Sequence, residues 1–135
     1  MLFKYKDDMP IVSIEVSGNR GRNEFDAPID YAASLSVVPY EAGEELGLEF
    51  EGFAPTATGG GVIGMPVYRA KAKAFGKDFD LRVGALQLPK ESTIRALVGR
   101  NILDSFRICL DGKRKEMEVS DPQGPARSAE GTVMR

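Results

Sequence analysis

The stretch that decides the fold reads Ala27-Pro28-Ile29-Asp30-Tyr31-Ala32-Ala33-Ser34-Leu35-Ser36-Val37-Val38. An apolar strand reaches one acid and a run of small residues, and a second apolar strand follows. Because apolar segments of this length favour burial in a sheet, the order places Asp30 on a loop between two buried strands. An Asp at a strand end is also typical of a turn in which the side chain bonds its own backbone. This stretch alone therefore leaves open whether Asp30 is a functional acid or a turn-forming residue.

A second informative segment, residues 96–103, reads Ala-Leu-Val-Gly-Arg-Asn-Ile-Leu and lies far downstream. It predicts an apolar strand that stops at Gly99 and turns into a short helix, with Asn101 as the N-cap. Between the two segments, residues 56–66 are rich in glycine and predict a flexible hairpin. A phosphate-binding loop is disfavoured there, because neither a Lys-Ser/Thr pair nor a helix follows the glycines.

Composition excludes several classes of protein. The chain has 135 residues, enough for one domain with a modest core, and its net charge of −2 argues against a nucleic-acid partner. No apolar run approaches the roughly 18 residues of a membrane helix, and the N-terminal residues lack the apolar segment of a signal peptide. We therefore expect a cytoplasmic protein that has no membrane partner.

The residues available for chemistry are few. The chain contains no His, which excludes Ser-His-Asp and Cys-His catalysis, and its single cysteine excludes an internal disulfide and a multi-cysteine zinc site. We expect neither a metal nor a cofactor. Cys109 lies in an apolar run and is predicted to be a small core residue. An enzyme of this composition would most simply use carboxylates.

Alternating apolar residues predict many short strands separated by turns. The predicted strands cover residues 11–16, 25–29, 35–38, 67–75, 79–86, 95–98, 106–110 and 115–119. Pro28 predicts an edge strand or a bulge, and hairpin turns are predicted at residues 76–78 and 111–112. Short helices are predicted over 39–48, with Gly47 at the C-cap, and over 101–105. The fold class is all-β with one or two short helices; residues 1–119 form the domain, and residues 120–135 a disordered tail.

Together these segments resemble the retropepsin-like aspartic proteases, a single-lobe family that works as a homodimer. That family reads apolar-apolar-Asp-Thr/Ser-Gly-Ala-Ser in the first segment and apolar-apolar-Gly-Arg-Asn/Asp in the second. The matching residues are Ile29-Asp30 with Ala33-Ser34, then residues 44–48, then residues 97–103. The resemblance covers residues 9–119 and implies a retropepsin-like single-lobe acid protease barrel.

The resemblance implies an aspartic endopeptidase that hydrolyses a peptide or protein substrate without a cofactor. Two carboxylates about 3 Å apart cannot both ionise, so they share one proton and activate water between them. The chain offers one such acid, Asp30, and its second copy in a homodimer would supply the other. The resemblance also places residues at the site floor and substrate-binding surface (Tyr31, Ala32, Ala33, Ser34, Gly99, Arg100) and in a flap that closes over substrate (Thr58, Gly59, Gly60, Gly61, Val62, Ile63).

Two positions depart from the family pattern and support a different hypothesis. Tyr31 is longer than the Thr or Ser that bonds the partner chain, and Ala32 adds a methyl group where the family has Gly. The alternative is a catalytically silent relative whose groove binds an extended peptide by β-addition or serves only for dimerisation. A monomeric β-barrel binding module is a third hypothesis. Arg100 either pairs with a carboxylate that braces the site or is a solvated residue at the helix start.

Overall fold

The protein has the all-β architecture predicted from the sequence. A computed structural model describes residues 1–89 and 92–122. Within them the strands are β1 (Leu2–Lys4), β2 (Ile11–Gly18), β3 (Gly21–Pro28), β4 (Ser36–Pro39), β5 (Glu49–Thr58), β6 (Gly61–Ala74), β7 (Lys77–Leu86), β8 (Arg107–Asp111) and β9 (Glu116–Ser120). The helices are α1 (Ala42–Glu45) and α2 (Arg100–Leu103). Neither of these described helices is long or apolar enough to cross a membrane.

The strands form two sheets. The larger has the order β3-β2-β6-β7-β4, and β5 pairs with the first part of β6. Its pairs are antiparallel except for β4 with β7, which run parallel. The smaller sheet has the order β1-β9-β8 and is antiparallel. The pairings in the described part of the chain leave both sheets open rather than closing one continuous barrel.

Both sheets share one hydrophobic core. On β6, Ala70, Ala72 and Ala74 are buried while the alternating basic residues are exposed, as expected for a strand with one solvated face. Met117 of β9 and Leu103 of α2 are also fully buried in this cluster. The smaller sheet and α2 therefore pack on the same core as the larger sheet.

The prediction of a strand at residues 95–98 is wrong, because the segment forms isolated bridges rather than a ladder. In the described part of the chain it forms only two isolated bridges, a parallel one from Val98 to Ile29 and an antiparallel one from Leu97 to Val37. Leu97 exchanges both backbone hydrogen bonds with Val37, at 2.9 Å each. The segment therefore joins the residues on either side of the Asp30 loop instead of extending a ladder.

The short helices differ from their predicted bounds. Pro39 is the last residue of β4, so the first helix begins only at Ala42, and Gly47 follows its end with a φ of +67°. The positive φ confirms the expected helix-ending role of this glycine. The second helix has Gly99 at its N-cap without a side-chain cap, so the prediction of Asn101 as the N-cap is wrong.

Cys109 is exposed, and its predicted core position is wrong. It lies on the edge strand β8, where side chains alternate between the two faces, and its neighbour Ile108 packs against the core instead. The predicted tail begins within β9, which includes Ser120, and residues 123–135 of it lie outside the described residues.

The turn between β6 and β7 lies one residue earlier than predicted, at Phe75 and Gly76. Phe75 has a φ of +53°, which is uncommon for a bulky residue. Its ring packs edge-on against Phe3 and Phe106, with centroids 5.8 and 4.9 Å away. These contacts join the turn to β1 and to the segment before β8, and they stabilise a conformation that a glycine would adopt more readily.

Candidate functional site

The loop that carries Asp30 connects β3 to β4 and is held by backbone hydrogen bonds. The Asp30 N–H donates to the carbonyl of Val98 at 2.8 Å, and the Arg100 N–H donates to the carbonyl of Ala33 at 2.8 Å. Val98, just before α2, and Arg100, its first residue, therefore bond the loop at two points. Such fixation limits the positions that the Asp30 side chain can take.

The carboxylate of Asp30 is oriented by its own loop. Its Oδ1 accepts a hydrogen bond from the Ala32 N–H at 2.9 Å, which is the turn geometry expected of an Asp at a strand end. Among the residues that the structure describes, no hydrogen bond reaches Oδ2. Because the half-buried residue uses one oxygen for the turn, the other oxygen is available for chemistry.

Behind the loop lies a buried polar network that the sequence did not reveal. Ser36 is fully buried; its Oγ accepts from the Gly99 N–H at 3.0 Å and donates to Asn101 Oδ1 at 2.8 Å. Asn101 Oδ1 also accepts from the Ser36 N–H at 2.9 Å, and Asn101 Nδ2 donates to the carbonyl of Arg82 at 2.7 Å. The network ties β4 and β7 to the start of α2. The available signal was one serine in an otherwise apolar strand.

Gly99 is a position of close backbone approach. A Cβ at this residue would lie 2.5 Å from the backbone carbon and oxygen of Leu35, far inside normal contact. No side chain therefore fits there without moving the Asp30 loop. Gly99 supports the loop from behind and is not among the residues that line the groove described next.

Asp30 lines a groove of about 380 Å³, a size that holds small ligands or peptide side chains. One wall is formed by the Asp30 loop and β4, and the other by the hairpin of β5 and β6. Of the described residues that line it, Asp30 alone is charged. The others are Ala32, Ala33, Ser34, Leu35, Val37, Pro55, Thr56, Ala57, Met65, Leu86 and Leu97.

Met65 shapes the wall of the groove because its side chain packs directly against Gly84 of β7. A Cβ on Gly84 would lie 2.4 Å from the sulfur and the terminal methyl of Met65, so the thioether occupies the space that a larger residue would fill. Met65 is 5% exposed and lines the groove. A glycine inside a strand pattern was the sequence signal for this close contact.

Tyr31, predicted to lie at the site floor, does not line the groove. Its side chain is 46% exposed. Burial of the remainder raises the pKa of its hydroxyl, and the charges of Asp104 and Cys109 raise this pKa further. Arg100 is exposed and forms no ion pair with a described residue, as expected for the solvated interpretation.

The predicted flap residues form the exposed end of the β5–β6 hairpin. Thr58 Oγ1 accepts from the Gly60 N–H at 3.2 Å and donates to the Gly61 carbonyl at 2.8 Å, and Gly61 has a φ of +115°. Val62 is 74% exposed and Ile63 is 42% exposed. The tip lies outside the groove lining, while Pro55, Thr56 and Ala57 just before it belong to that lining.

The described residues, 1–89 and 92–122, contain no group of three or more Cys, Asp or Glu side chains placed to hold a metal ion.

The fold and the groove can be compared with known proteins. No family model and no curated protein matches the sequence. A retropepsin-like aspartic protease from Rickettsia conorii is similar in structure, with a TM-score of 0.60 and 18% identity over 89% of this chain and 97% of that one. The EIAV protease, solved in complex with the inhibitor HBY-793, has a TM-score of 0.57 and 16% identity over 73% of this chain and 88% of that one. The simian foamy virus (mac) protease has a TM-score of 0.50 and 20% identity over 70% of this chain and 91% of that one.

The chain therefore has the fold of the retropepsin-like proteases, and the fold implied by its sequence resemblance is confirmed. At identities of 16% to 20% this likeness establishes the architecture, whereas the chemistry has to be argued from the residues of this chain.

Proposed function

We propose that this protein is a homodimeric retropepsin-like aspartic endopeptidase in which Asp30 of each copy forms the catalytic pair. The observation that carries the proposal is the placement of Asp30. Its loop is fixed by the hydrogen bond to the Val98 carbonyl, its side chain lines an otherwise uncharged groove, and one carboxylate oxygen is unengaged among the described residues.

The reaction follows from two such carboxylates sharing one proton. The ionised Asp30 takes a proton from water as the water oxygen attacks the peptide carbonyl, and the protonated Asp30 of the second copy donates its proton to the carbonyl oxygen. A proton then passes to the amide nitrogen as the carbon–nitrogen bond breaks. A single chain holds one such acid, so the site is complete only in the dimer.

The groove supports an extended peptide as the substrate. Its lining is mainly aliphatic, which suits apolar substrate side chains, and the β5–β6 hairpin beside it would act as the flap. The exposed Gly59, Gly60 and Gly61 at the hairpin end provide the backbone freedom that such a movement needs.

A second candidate function, a catalytically silent peptide-binding module, is favoured by two observations. Ala32 lines the groove next to Asp30, so its methyl group occupies space that a substrate backbone would approach. Tyr31 is 46% exposed and does not line the groove, so it makes no contact there that could replace the Thr or Ser of the family pattern. Displacement of a catalytic group by about 1 Å can cost roughly a hundredfold in rate.

Replacement of Asp30 by Asn tests the two functions. Asn retains an oxygen that can accept from the Ala32 N–H, so the fold should persist while cleavage of a peptide library falls by at least about a hundredfold. The dimer should be as stable or more stable, because the repulsion between two acids is removed. The matched control is Asp78→Asn, the same change at a carboxylate that is 85% exposed on the hairpin of β6 and β7. Full activity in Asp30→Asn would exclude the catalytic pair.

The double substitution Tyr31→Thr with Ala32→Gly decides between the candidates if the parent protein cleaves nothing. Restored cleavage by this variant supports the endopeptidase architecture. If both proteins are dimeric and neither cleaves any peptide, the peptidase proposal is wrong and the groove is a binding surface.

A further inference from the structure

The hairpin of β5 and β6 carries a cluster of three aromatic side chains, Phe50, Phe53 and Tyr68, which we call the aromatic patch. The ring of Phe50 packs edge-on against the rings of Phe53 and Tyr68, with centroids 5.3 and 5.6 Å away. Phe50 is 52% exposed and Phe53 is 69% exposed. Single exposed apolar side chains are common on protein surfaces, whereas adjacent exposed rings are typical of a surface that binds a partner.

The aromatic patch lies on the face of the hairpin that is turned away from the groove. In the ladder of β5 and β6, Phe53 pairs with Pro66. The next pair is Ala54 with Met65, and Met65 lines the groove. Because successive side chains of a strand point to opposite faces, Phe53 and Met65 lie on opposite faces of the hairpin. The aromatic patch is therefore a surface separate from the groove that contains Asp30.

Helix α1 borders the aromatic patch and carries acidic side chains. A Cβ at Gly43 would lie 2.4 Å from the ring of Tyr68, so the helix backbone and this ring are in direct contact. The next two residues of the helix are Glu44 and Glu45, which are both exposed. Within the part of the chain that the structure describes, neither of them forms an ion pair. The element beside the rings therefore presents two uncompensated negative charges.

The aromatic patch has no cation of its own among the described residues. Arg69 and Arg82 lie on β6 and β7, and both pair with Glu51 at 3.6 Å. The contact between a cation and a ring in the described part of the chain joins Lys77 to Phe106, which is not part of the patch. The patch therefore offers ring faces and nearby carboxylates to a cation from another molecule.

We propose that the aromatic patch and α1 form a docking surface for a basic, apolar segment of a polypeptide substrate. The aliphatic stem of a lysine or arginine side chain packs along the rings, while its charged end lies over a ring face or reaches a carboxylate of α1. Leucine-like side chains of the same segment cover the remaining ring surface. The inference rests on the proposed function only for the statement that the docked polypeptide is a substrate.

A docked segment can continue into the groove across β5. Among the described residues β5 pairs only with β6, so its other side is an edge of the sheet. Phe53 of the patch and Pro55 of the groove lining are two positions apart on β5, a distance of about 7 Å along the strand. A few residues of extended polypeptide therefore connect the two surfaces. Docking then selects a substrate by a segment that is remote from the bond that is cut.

The first experiment measures binding of a fluorescein-labelled peptide of four Gly-Lys-Leu repeats by fluorescence anisotropy. The protein carries Asp30→Asn, which prevents cleavage and removes the acid of the groove from the measurement. Adding Phe50→Ser with Phe53→Ser should raise the dissociation constant at least about tenfold, because the rings are lost. Phe53→Leu keeps an apolar side chain without a ring and should raise it about two- to fivefold.

Two results of this measurement would overturn the proposal. One is a dissociation constant that is unchanged by the loss of both rings. The other is equal binding of a control peptide of four Gly-Glu-Leu repeats, which has the same leucines but the opposite charge and should bind at least about tenfold more weakly.

The second experiment tests the carboxylates of α1 and leaves the rings in place. Glu44→Gln with Glu45→Gln should raise the dissociation constant of the Gly-Lys-Leu peptide about three- to fivefold at low salt, and less at high salt, because exposed charges are screened. The matched control is Glu24→Gln with Glu118→Gln, the same change at two exposed acids on β3 and β9. Equal effects of the two double substitutions would show that only net charge matters and would contradict the docking surface.

Sedimentation equilibrium identifies a different occupant, a second copy of this chain. The protein with Phe50→Ser and Phe53→Ser should have the same average molar mass as the wild type over the same range of concentrations. A lower mass for this variant would mean that the aromatic patch is covered by another copy of the chain, and the proposal would then be wrong.

The third experiment compares two substrates that contain the same cleavable sequence, selected from the peptide library. The substrate that is extended by four Gly-Lys-Leu repeats should have a KM at least about fivefold lower, with kcat unchanged, because docking contributes equally to the ground state and the transition state. In the protein with Phe50→Ser and Phe53→Ser the two KM values should be equal. Equal KM values in the wild type would overturn the role of the surface in substrate selection.

The docking surface and the endopeptidase can fail separately. A protein that binds the Gly-Lys-Leu peptide through the aromatic patch but cleaves no peptide supports the docking surface and contradicts the endopeptidase. An active endopeptidase that binds this peptide equally well with and without the two rings contradicts the docking surface.

Discussion

The side chain of Asp30 is oriented by one short hydrogen bond, from the Ala32 N–H at 2.9 Å, while its backbone is held by Val98. Such pre-organisation matters because a catalytic group contributes most when it need not move during the reaction. Ala32 contributes to the site in two ways: its N–H orients the Asp30 carboxylate, and its methyl group lines the groove. Alanine at this position therefore keeps the hydrogen bond that orients the acid and adds a methyl group to the groove lining.

The Tyr31 hydroxyl is predicted to lose its proton at a higher pH in the folded protein than in the unfolded chain. Its pKa is raised above 10.0, first by burial and then by Asp104 and Cys109, so the folded protein keeps this proton to higher pH than the unfolded chain. The contribution to the free energy of unfolding is complete below about pH 10 and is lost as the pH rises through the folded pKa. Titration of phenolate absorbance in the wild type and in Tyr31→Phe should give a difference curve centred above pH 10. A difference curve centred below that value would contradict the burial described here.

The buried hydroxyl of Ser36 should contribute measurably to stability. Ser36→Ala leaves the Gly99 N–H without its acceptor in a buried site, which typically costs about 1–3 kcal/mol. Urea unfolding should show this loss, and the exposed control Ser13→Ala should change the free energy of unfolding by less than about 0.5 kcal/mol. Equal changes in the free energy of unfolding of the two variants would mean that the Ser36–Asn101 network contributes nothing to stability.

At the scale of elements, the site depends on close contacts between segments that are distant in sequence. Val98 and Arg100, at the start of α2, bond two points of the Asp30 loop, and Asn101 reaches β4 and β7 with one side chain. The hairpin of β5 and β6 supplies the opposite wall through Met65. The groove is therefore a product of how a loop, a helix start and a hairpin pack.

Gly99 and Gly84, the tightly packed glycines beside the Asp30 loop and the groove, should respond differently to substitution by alanine. At Gly99 the obstacle is the backbone of Leu35, which cannot rotate away, so Gly99→Ala should cost about 1–3 kcal/mol and disturb the Asp30 loop. At Gly84 the obstacle is the flexible end of Met65, so Gly84→Ala should cost less but push the thioether into the groove.

Urea unfolding of the two alanine variants, together with their peptide-cleavage profiles, checks this prediction. The expected result is a stable Gly84→Ala protein that prefers smaller substrate side chains than the wild type. A Gly99→Ala protein as stable as Gly84→Ala would contradict the backbone contact.

At the scale of the whole molecule, one chain supplies one Asp30, so the proposed catalytic pair requires a second copy. The smaller sheet ends in the edge strand β8, and the larger sheet carries the groove. The cytoplasmic location inferred from the sequence stays a prediction.

Dilution should lower the peptidase activity per chain if two copies form the site. Below the dissociation constant of the dimer the specific activity should fall in proportion to concentration, because the dimer fraction does so. Assays across a hundredfold dilution series measure this effect. A wild type whose specific activity stays constant down to nanomolar concentration would argue for a monomeric site.

The sequence by itself determined the all-β class, most of the strands, the glycine that ends α1 and the position of Asp30 on a loop between two strands, although only the second of them, β4, is buried throughout. These features follow from short-range periodicity and from residues with restricted backbone preferences, which act within a few positions of the chain. The alternation of Arg69, Lys71 and Lys73 with buried alanines is one example.

Only the tertiary structure decided the surroundings of those elements. Ser36 and Asn101, 65 residues apart, bond each other instead of Asn101 capping its own helix, and the apolar run at 95–98 bridges two segments rather than forming a strand. The exposure of Cys109 depends on β8 being an edge strand. All of these features have the same physical reason. The free energies of long-range hydrogen bonds and of packing outweigh local propensity. A sequence pattern read over a few residues does not contain the identity of a distant partner.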